Sequence, residues 1–213
     1  ARQADEEAHH RTKRSNLVLV LPYRVDSRQN PPGDTLSMSV VALQALLSDI
    51  LALAEGWPSY EFVIRAKDDD WTSLPEFRKL LSTIAHRVNV RVDDNYGVLN
   101  ETYRLAAEAS LVIANFSSIV DEVLAFGIPC FVRDFTPQSS NLRDGMFDYL
   151  PSSIVCRSTS EFFDQISRCL SDGGAEYREI LLRDIKVLYG SLNDGYVRAR
   201  GKDNVLNLLQ NSS

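Results

Sequence analysis

The sequence predicts an α/β fold built on a doubly wound, mostly parallel sheet, and three observations carry that reading. Short runs such as Leu17-Val18-Leu19-Val20-Leu21 and Leu111-Val112-Ile113-Ala114 are apolar without alternation, as strands buried on both faces are. Between the runs lie segments whose apolar residues recur every three or four positions, the period of a helix with one buried face. The two kinds alternate five times or more, and right-handed crossovers then place helices on both faces of one sheet. The expected architecture is a Rossmann-like sheet of about six strands.

The elements follow in order. Residues 17–21 are the first strand. Residues 36–55 form a long helix with Leu36, Val40, Leu43, Leu47, Ile50 and Leu51 on one face, stopped by Gly56-Trp57-Pro58. Residues 60–64 are the second strand. Residues 74–84 read as one helix with Pro75 in its first turn, where a missing N–H costs nothing. Residues 88–92 are the third strand, 98–109 an alanine-rich helix and 111–114 the fourth strand. Residues 118–126 form a short helix that Gly127 terminates, and 129–132 the fifth strand. A long mixed stretch, 133–151, leads to a short sixth strand at 154–156, followed by helices at 160–170, 177–189 and 204–209.

Composition narrows the function. The 213 residues suit one domain, read here as 16–213. Residues 1–15 read as a linker, because the chain opens on the polar run Ala1-Arg2-Gln3-Ala4-Asp5-Glu6-Glu7 and not on Met; a fragment or processed chain is expected. The net charge of −6, with no basic stripe beyond Arg11 to Arg14, argues against a nucleic-acid partner. No apolar run approaches the ~18 residues of a membrane span, so the expected location is the cytoplasm, with room for peripheral association at the inner face of the membrane. Cys130, Cys156 and Cys169 have no metal-like spacing and sit in apolar stretches, as reduced core thiols do.

Several chemistries lack their signatures. No Gly-x-Gly-x-x-Gly follows the first strand, and there is neither a P-loop nor a Gly-x-Ser-x-Gly elbow. His9 and His10 fall in the linker and His86 at a helix end, so no metal or other cofactor is expected.

Parallel sheets of this kind bind ligands beyond the carboxyl ends of their strands. The informative stretch there is 103–134. After the fourth strand come Asn115, Phe116, Ser117 and Ser118, then a helix with Asp121 and Glu122, then Gly127-Ile128-Pro129. A tight strand-to-helix turn offers backbone N–H groups and a favourable dipole to a phosphate, with Ser117 and Ser118 adding hydroxyl donors. Glu122, one turn on, is placed to accept the hydroxyls of a ribose. Ser118 with Asp121 also fits a capping box that needs no ligand, and both readings stand.

The order Ala-Ser-Leu-Val-Ile-Ala-Asn-Phe-Ser-Ser-Ile-Val-Asp-Glu-Val-Leu-Ala-Phe-Gly-Ile-Pro-Cys-Phe-Val across this stretch resembles the donor-binding domain of GT-B glycosyltransferases. It looks closest to bacterial capsular polysaccharide transferases and CDP-glycerol glycerophosphotransferases. The likeness covers about 60–134 well, is looser toward the C-terminus, and before Tyr60 rests on element order alone. The chain departs from that pattern in having Arg65-Ala66-Lys67-Asp68 where the family often has a Lys-x-His-Pro-like turn, and Asn115-Phe116 where an acidic-aromatic pair is usual.

The resemblance implies one half of a GT-B fold that binds a nucleotide-activated sugar or polyol. The glycan or lipid-linked acceptor and the general base would belong to a second domain, so the isolated half should not turn over. A metal-free enzyme of this type neutralises its leaving diphosphate with protein charge. Arg65 and Lys67 at the end of the second strand are candidates; pairing with Asp68, Asp69 and Asp70 is the alternative. Arg24 falls where family members place a loop near the phosphates, and Tyr96 with Gly97 where a base or ribose edge rests. Phe116 reads equally as a base-stacking or a core side chain. Arg133, Asp134 and Arg143, on the long loop after the fifth strand, are the sugar-contact candidates. Two further readings are a half of a nucleotide-sugar 2-epimerase and a non-catalytic glycosyltransferase-like scaffold.

Overall fold

The computed structural model describes residues 16–23, 25, 40–66, 70–95, 99–115, 117, 119–125, 127–134, 150–172 and the single positions 174, 175, 177, 179, 180 and 183. Its strands are β1 (Leu17–Leu21), β2 (Glu61–Ile64), β3 (Val90–Val92), β4 (Leu111–Ala114), β5 (Cys130–Arg133) and β6 (Val155–Cys156). They form one six-stranded sheet in the order β3-β2-β1-β4-β5-β6. Every pairing is parallel, with Val20 opposite Ile64, Leu21 opposite Ala114, and Ala114 opposite Val132. The chain therefore winds outward from β1 to β3, returns to the centre, and winds outward again to β6. The sheet reverses direction between β1 and β4.

The apolar runs predicted as doubly covered strands are that: β1, β4 and β5 are buried at every position. The helices are α1 (Val40–Gly56), α2 (Arg78–Ala85), α3 (Leu99–Glu108), α4 (Ile119–Ala125) and α5 (Thr159–Ser171). On α1 the buried set Leu43, Leu46, Leu47, Ile50, Leu51, Leu53 and Ala54 is wider than a single stripe. Gly127 ends α4 with φ 65°, while its own N–H bonds the carbonyl of Leu124 and that of Ile128 bonds Val123. That is the Schellman arrangement, and the left-handed position favours glycine.

The segment 74–84 is not one helix. Leu74 is extended at φ −73° and ψ 132°, Pro75–Phe77 form a 3-10 turn, and the α-helix begins only at Arg78. A residue before proline is pushed out of the helical region, which delays the helix. Trp71 and Phe77 pack edge to face across this corner with centroids 5.5 Å apart, so Trp71 is a core anchor. The predicted helix 204–209, most of 177–189, and residues 36–39 lie outside the described residues.

All three cysteines are buried and unbridged. Burial pushes the thiol of Cys156 up to about 12 and that of Cys130 higher still. Among the described residues no helix is long and apolar enough to cross a membrane.

The helix α5 carries a complete capping box. The Glu161 N–H donates to Ser158 Oγ at 3.2 Å, and the Ser158 N–H donates back to Glu161 Oε2 at 3.1 Å. Hydrogen bonds from the backbone N–H groups of Arg157 and Ser158 hold the Glu161 carboxyl below its ordinary value. A lowered folded-state value means this contribution is present above the unfolded pKa of about 4.3 and disappears as pH falls through the folded one. Ser158→Ala should cost about 1 kcal/mol in urea unfolding at neutral pH. In Glu161→Gln, the deficit relative to the parent chain should shrink as the buffer is taken from pH 6 toward pH 3. A deficit independent of pH would show that the Glu161 charge has no part in the cap.

Candidate functional site

Because all six strands run parallel, their carboxyl ends share one edge of the sheet. The backbone ladder continues one residue past several of them. The N–H of Arg65 bonds Val20 O at 2.8 Å, that of Asp93 bonds Ile64 O at 2.9 Å, that of Asn115 bonds Leu21 O at 3.2 Å, and that of Asp134 bonds Cys156 O at 2.9 Å. These positions are thereby held by the same backbone ladder as the strand residues.

Burial singles out the same edge. The buried polar or charged residues among those described are Arg65, Asp93, Asn115, Arg133 and Asp134, and each stands at or just past the carboxyl end of a strand. The remainder of the described interior is apolar. Burying polar groups is unfavourable unless they are partnered, so their confinement to one edge marks it as the candidate site.

At the β2–β3 flank, Arg65 donates from Nη1 to Asp93 Oδ2, from Nε to Thr102 Oγ1 at 2.8 Å, and from Nη2 to the carbonyl of Asn95 at 3.0 Å. Asn95 Nδ2 in turn donates to Asp93 Oδ1 at 3.0 Å. The Arg65 guanidinium is thus buried and engaged within the protein; the side chains of Asp68 to Asp70 lie outside the described residues. The described carboxylate partner of Arg65 is Asp93, and its guanidinium fixes the turn 93–95 against α3.

At the β5–β6 flank, Arg133 is the last residue of β5 and not a loop residue as expected. Its side chain turns inward, with Nε 3.5 Å from Asp49 Oδ2 of α1 and Nη2 donating to Thr159 Oγ1 of α5 at 3.1 Å. Its guanidinium therefore faces α1 and α5 within the interior. Asp49 has its carboxyl raised by burial, an effect that the charge of Arg133 partly offsets. Asp134 does follow the strand, buried, with Arg157 Nε 3.3 Å from its carboxylate.

The centre of the edge, where β1 and β4 adjoin, is occupied by Pro22 and Asn115. Ser117 is half-buried and its carbonyl accepts the N–H of Val120 at 3.1 Å. Asp121 and Glu122 lie in the first turn of α4, both half-buried. The structure thus brings Asn115, Ser117 and Glu122 to the point where the sheet reverses direction. Arg24, Lys67, Tyr96, Gly97, Phe116, Ser118 and Arg143 lie outside the described residues. Among the described residues no group of three or more His, Cys, Asp or Glu could hold a metal ion.

Sequence reasoning did not single out Asp93, Thr102, Asp49 or Arg157. Asp93 had a signal, as an acidic residue directly after an apolar strand; the others pair over separations with no local trace.

Arg65→Met should leave Asp93 buried without its guanidinium and cost roughly 3–5 kcal/mol in urea unfolding, with much of the loss recovered by Arg65→Met/Asp93→Leu. A single-variant cost below about 1 kcal/mol would show that the pair does not hold this flank.

The sequence matches no family model and no curated protein. Its structure is similar to several solved ones. UDP-GlcNAc 2-epimerase from Neisseria meningitidis, solved bound to UDP-GlcNAc, matches with a TM-score of 0.53 and 15% identity over 98% of this chain and 48% of that one. The wall teichoic acid polymerase TagF matches with a TM-score of 0.51 and 13% identity over 99% of this chain and 48% of that one. A putative UDP-N-acetylglucosamine 2-epimerase from Listeria monocytogenes matches with a TM-score of 0.54 and 12% identity over 93% of this chain and 47% of that one. The chain spans about half the length of each. At these identities the likeness establishes the fold alone: a doubly wound, six-stranded parallel sheet of the kind found in these structures.

Proposed function

We propose that this chain is the donor-binding half of a two-domain glycosyltransferase and holds the nucleotide of an activated sugar or polyol. The observation that carries the proposal is the gathering of every buried polar residue described at the carboxyl edge of a sheet that reverses direction beside Asn115, Ser117 and Glu122. Open α/β sheets bind ligands at such a reversal. In this reading the phosphates rest on the turn after β4 and Glu122 accepts the ribose hydroxyls.

The two buried arginines have internal carboxylates beside them. The proposal therefore assigns neutralisation of the leaving phosphate to Lys67, Arg24 and the second domain, without a metal ion. That second domain would also bring the glycan or lipid-linked acceptor and the general base, so this half binds donor without turning it over. The solved UDP-GlcNAc complex of a similar fold supports a pyrimidine nucleotide as ligand. It also supports a second reading on the same site, a nucleotide-sugar 2-epimerase half. Full-length protein incubated with UDP-GlcNAc separates the two, since an epimerase converts the sugar without an acceptor.

Calorimetric titration of the chain with UDP, CDP, CMP, ATP and NAD tests the ligand class. A pyrimidine nucleotide should bind most tightly; tight binding of ATP or NAD with none of UDP, CDP or CMP would refute the proposal. Glu122→Ala should weaken the bound nucleotide about tenfold or more, because a hydrogen bond to a charged group is worth roughly 1.5–3 kcal/mol. Glu122→Gln keeps the size and removes the charge. Unchanged affinity in both variants, with stability lowered by less than ~1 kcal/mol, would assign Glu122 to helix-end electrostatics alone.

A further inference from the structure

The amide of Asn115 crosses from the end of β4 to the end of β5. Its Nδ2 donates to the carbonyl of Arg133 at 2.6 Å, and the side chain is fully buried. Its Oδ1 is buried with no hydrogen-bond partner among the described residues. The side chain of Arg133 then continues the connection. Nη1 reaches the carbonyls of Asp134 at 3.3 Å and Cys156 at 3.4 Å, Nη2 reaches Thr159, and the guanidinium carbon lies 5.8 Å from the centroid of the Phe162 ring. One path of contacts thus runs from the turn after β4, through both the backbone and the side chain of Arg133, to the ends of β5 and β6, the first turn of α5 and Asp49 of α1.

We propose that Asn115 and Arg133 are positioning residues: a buried clamp that sets the turn carrying Ser117 and Glu122 at a fixed distance from Asp134, where the segment after β5 begins. The inference rests on the donor-site reading for its functional meaning, but the clamp itself is a property of the free chain. Packing alone does not call for these two residues. An aliphatic side chain at 115 would fill the same volume without burying an acceptor that lacks a described partner, and at 133 it would avoid burying a charge. What neither replacement supplies is a directed bond between neighbouring strand ends. A polar clamp specifies one spacing where apolar packing tolerates several. The two walls it joins are those that would meet the ribose and the transferred group, so the clamp sets how a donor is oriented between them.

Amide hydrogen exchange of the free 213-residue chain, paired with titration by UDP and CDP, tests this. Asn115→Leu keeps the backbone bond to Leu21 and the side-chain volume but removes the donor. The Val120 and Asp134 amides, bonded to Ser117 O and Cys156 O, should exchange about tenfold faster or more, while Val63 and Ile113 in the sheet centre keep their protection. Nucleotide affinity should fall about tenfold or more. Arg133→Lys keeps the positive charge near Asp49 but cannot serve two carbonyls and Thr159 together. It should reproduce the exchange pattern, and it provides the test if Asn115→Leu does not fold. Unchanged exchange at Val120 and Asp134, or acceleration spread evenly over the sheet, would overturn the clamp. Local acceleration in a chain whose parent binds neither UDP nor CDP would support the clamp and overturn the donor site.

Discussion

The parallel ladder running one residue beyond its strands is the constraint on which this structure depends. In a sheet covered on both faces, a residue on that last rung is held by its backbone and withdrawn from solvent. Arg65, Asp93, Asn115 and Asp134 occupy that rung. Each must find partners within the protein, because water does not reach it. The partners are neighbours in a row along the edge: Arg65 with Asp93 on one flank, Asn115 with the Arg133 carbonyl and Asp134 with Arg157 on the other. Apolar packing below the row gives the sheet its stability, and the row gives its edge a defined shape.

The two flanks of the row differ from its middle. Arg65 with Asp93 and Arg157 with Asp134 join adjacent strand ends by opposite charges, β2 to β3 and β5 to β6. Between them, Pro22 and Asn115 are uncharged. The strongest described charges of the edge are thus engaged at its sides. The chain spans about half the length of the proteins it resembles in fold.

Much of this architecture is legible in the sequence, and the reasons are local. Continuous apolar runs locate β1 and β4 to the residue, and the glycine after α4 falls where a left-handed residue is needed. The strand-helix alternation that predicts a doubly wound sheet is what the topology contains. Local reasoning goes astray at 74–84, where Pro75 fits a first turn by its missing N–H, yet its effect on Leu74 turns that start into a 3-10 corner. The capping box was readable at Ser158 and Glu161, three apart before an apolar run, but the sequence draws the eye to Ser118 instead. The partners of the buried arginines are a different matter. Arg65 meets a carboxylate 28 residues away and Arg133 one 84 residues away. No period or motif encodes those distances; they follow only once six strands have been laid side by side. A basic residue at a strand end reads from sequence as a ligand contact, whereas the direction of its side chain, inward at 133, is set by the packed fold.

The three cysteines have a practical consequence. All lie in the interior, on β5, β6 and α5, out of reach of electrophiles, and at Cys130 and Cys156 burial also suppresses the reactive thiolate. A folded molecule therefore offers alkylating reagents no native target, whereas an opened one offers three. Thiol labelling followed by mass measurement thus counts unfolding events directly, in a crowded mixture and without a spectroscopic signal. The same silence leaves room for a single cysteine introduced on the surface to carry a fluorophore, with no native thiol to remove first.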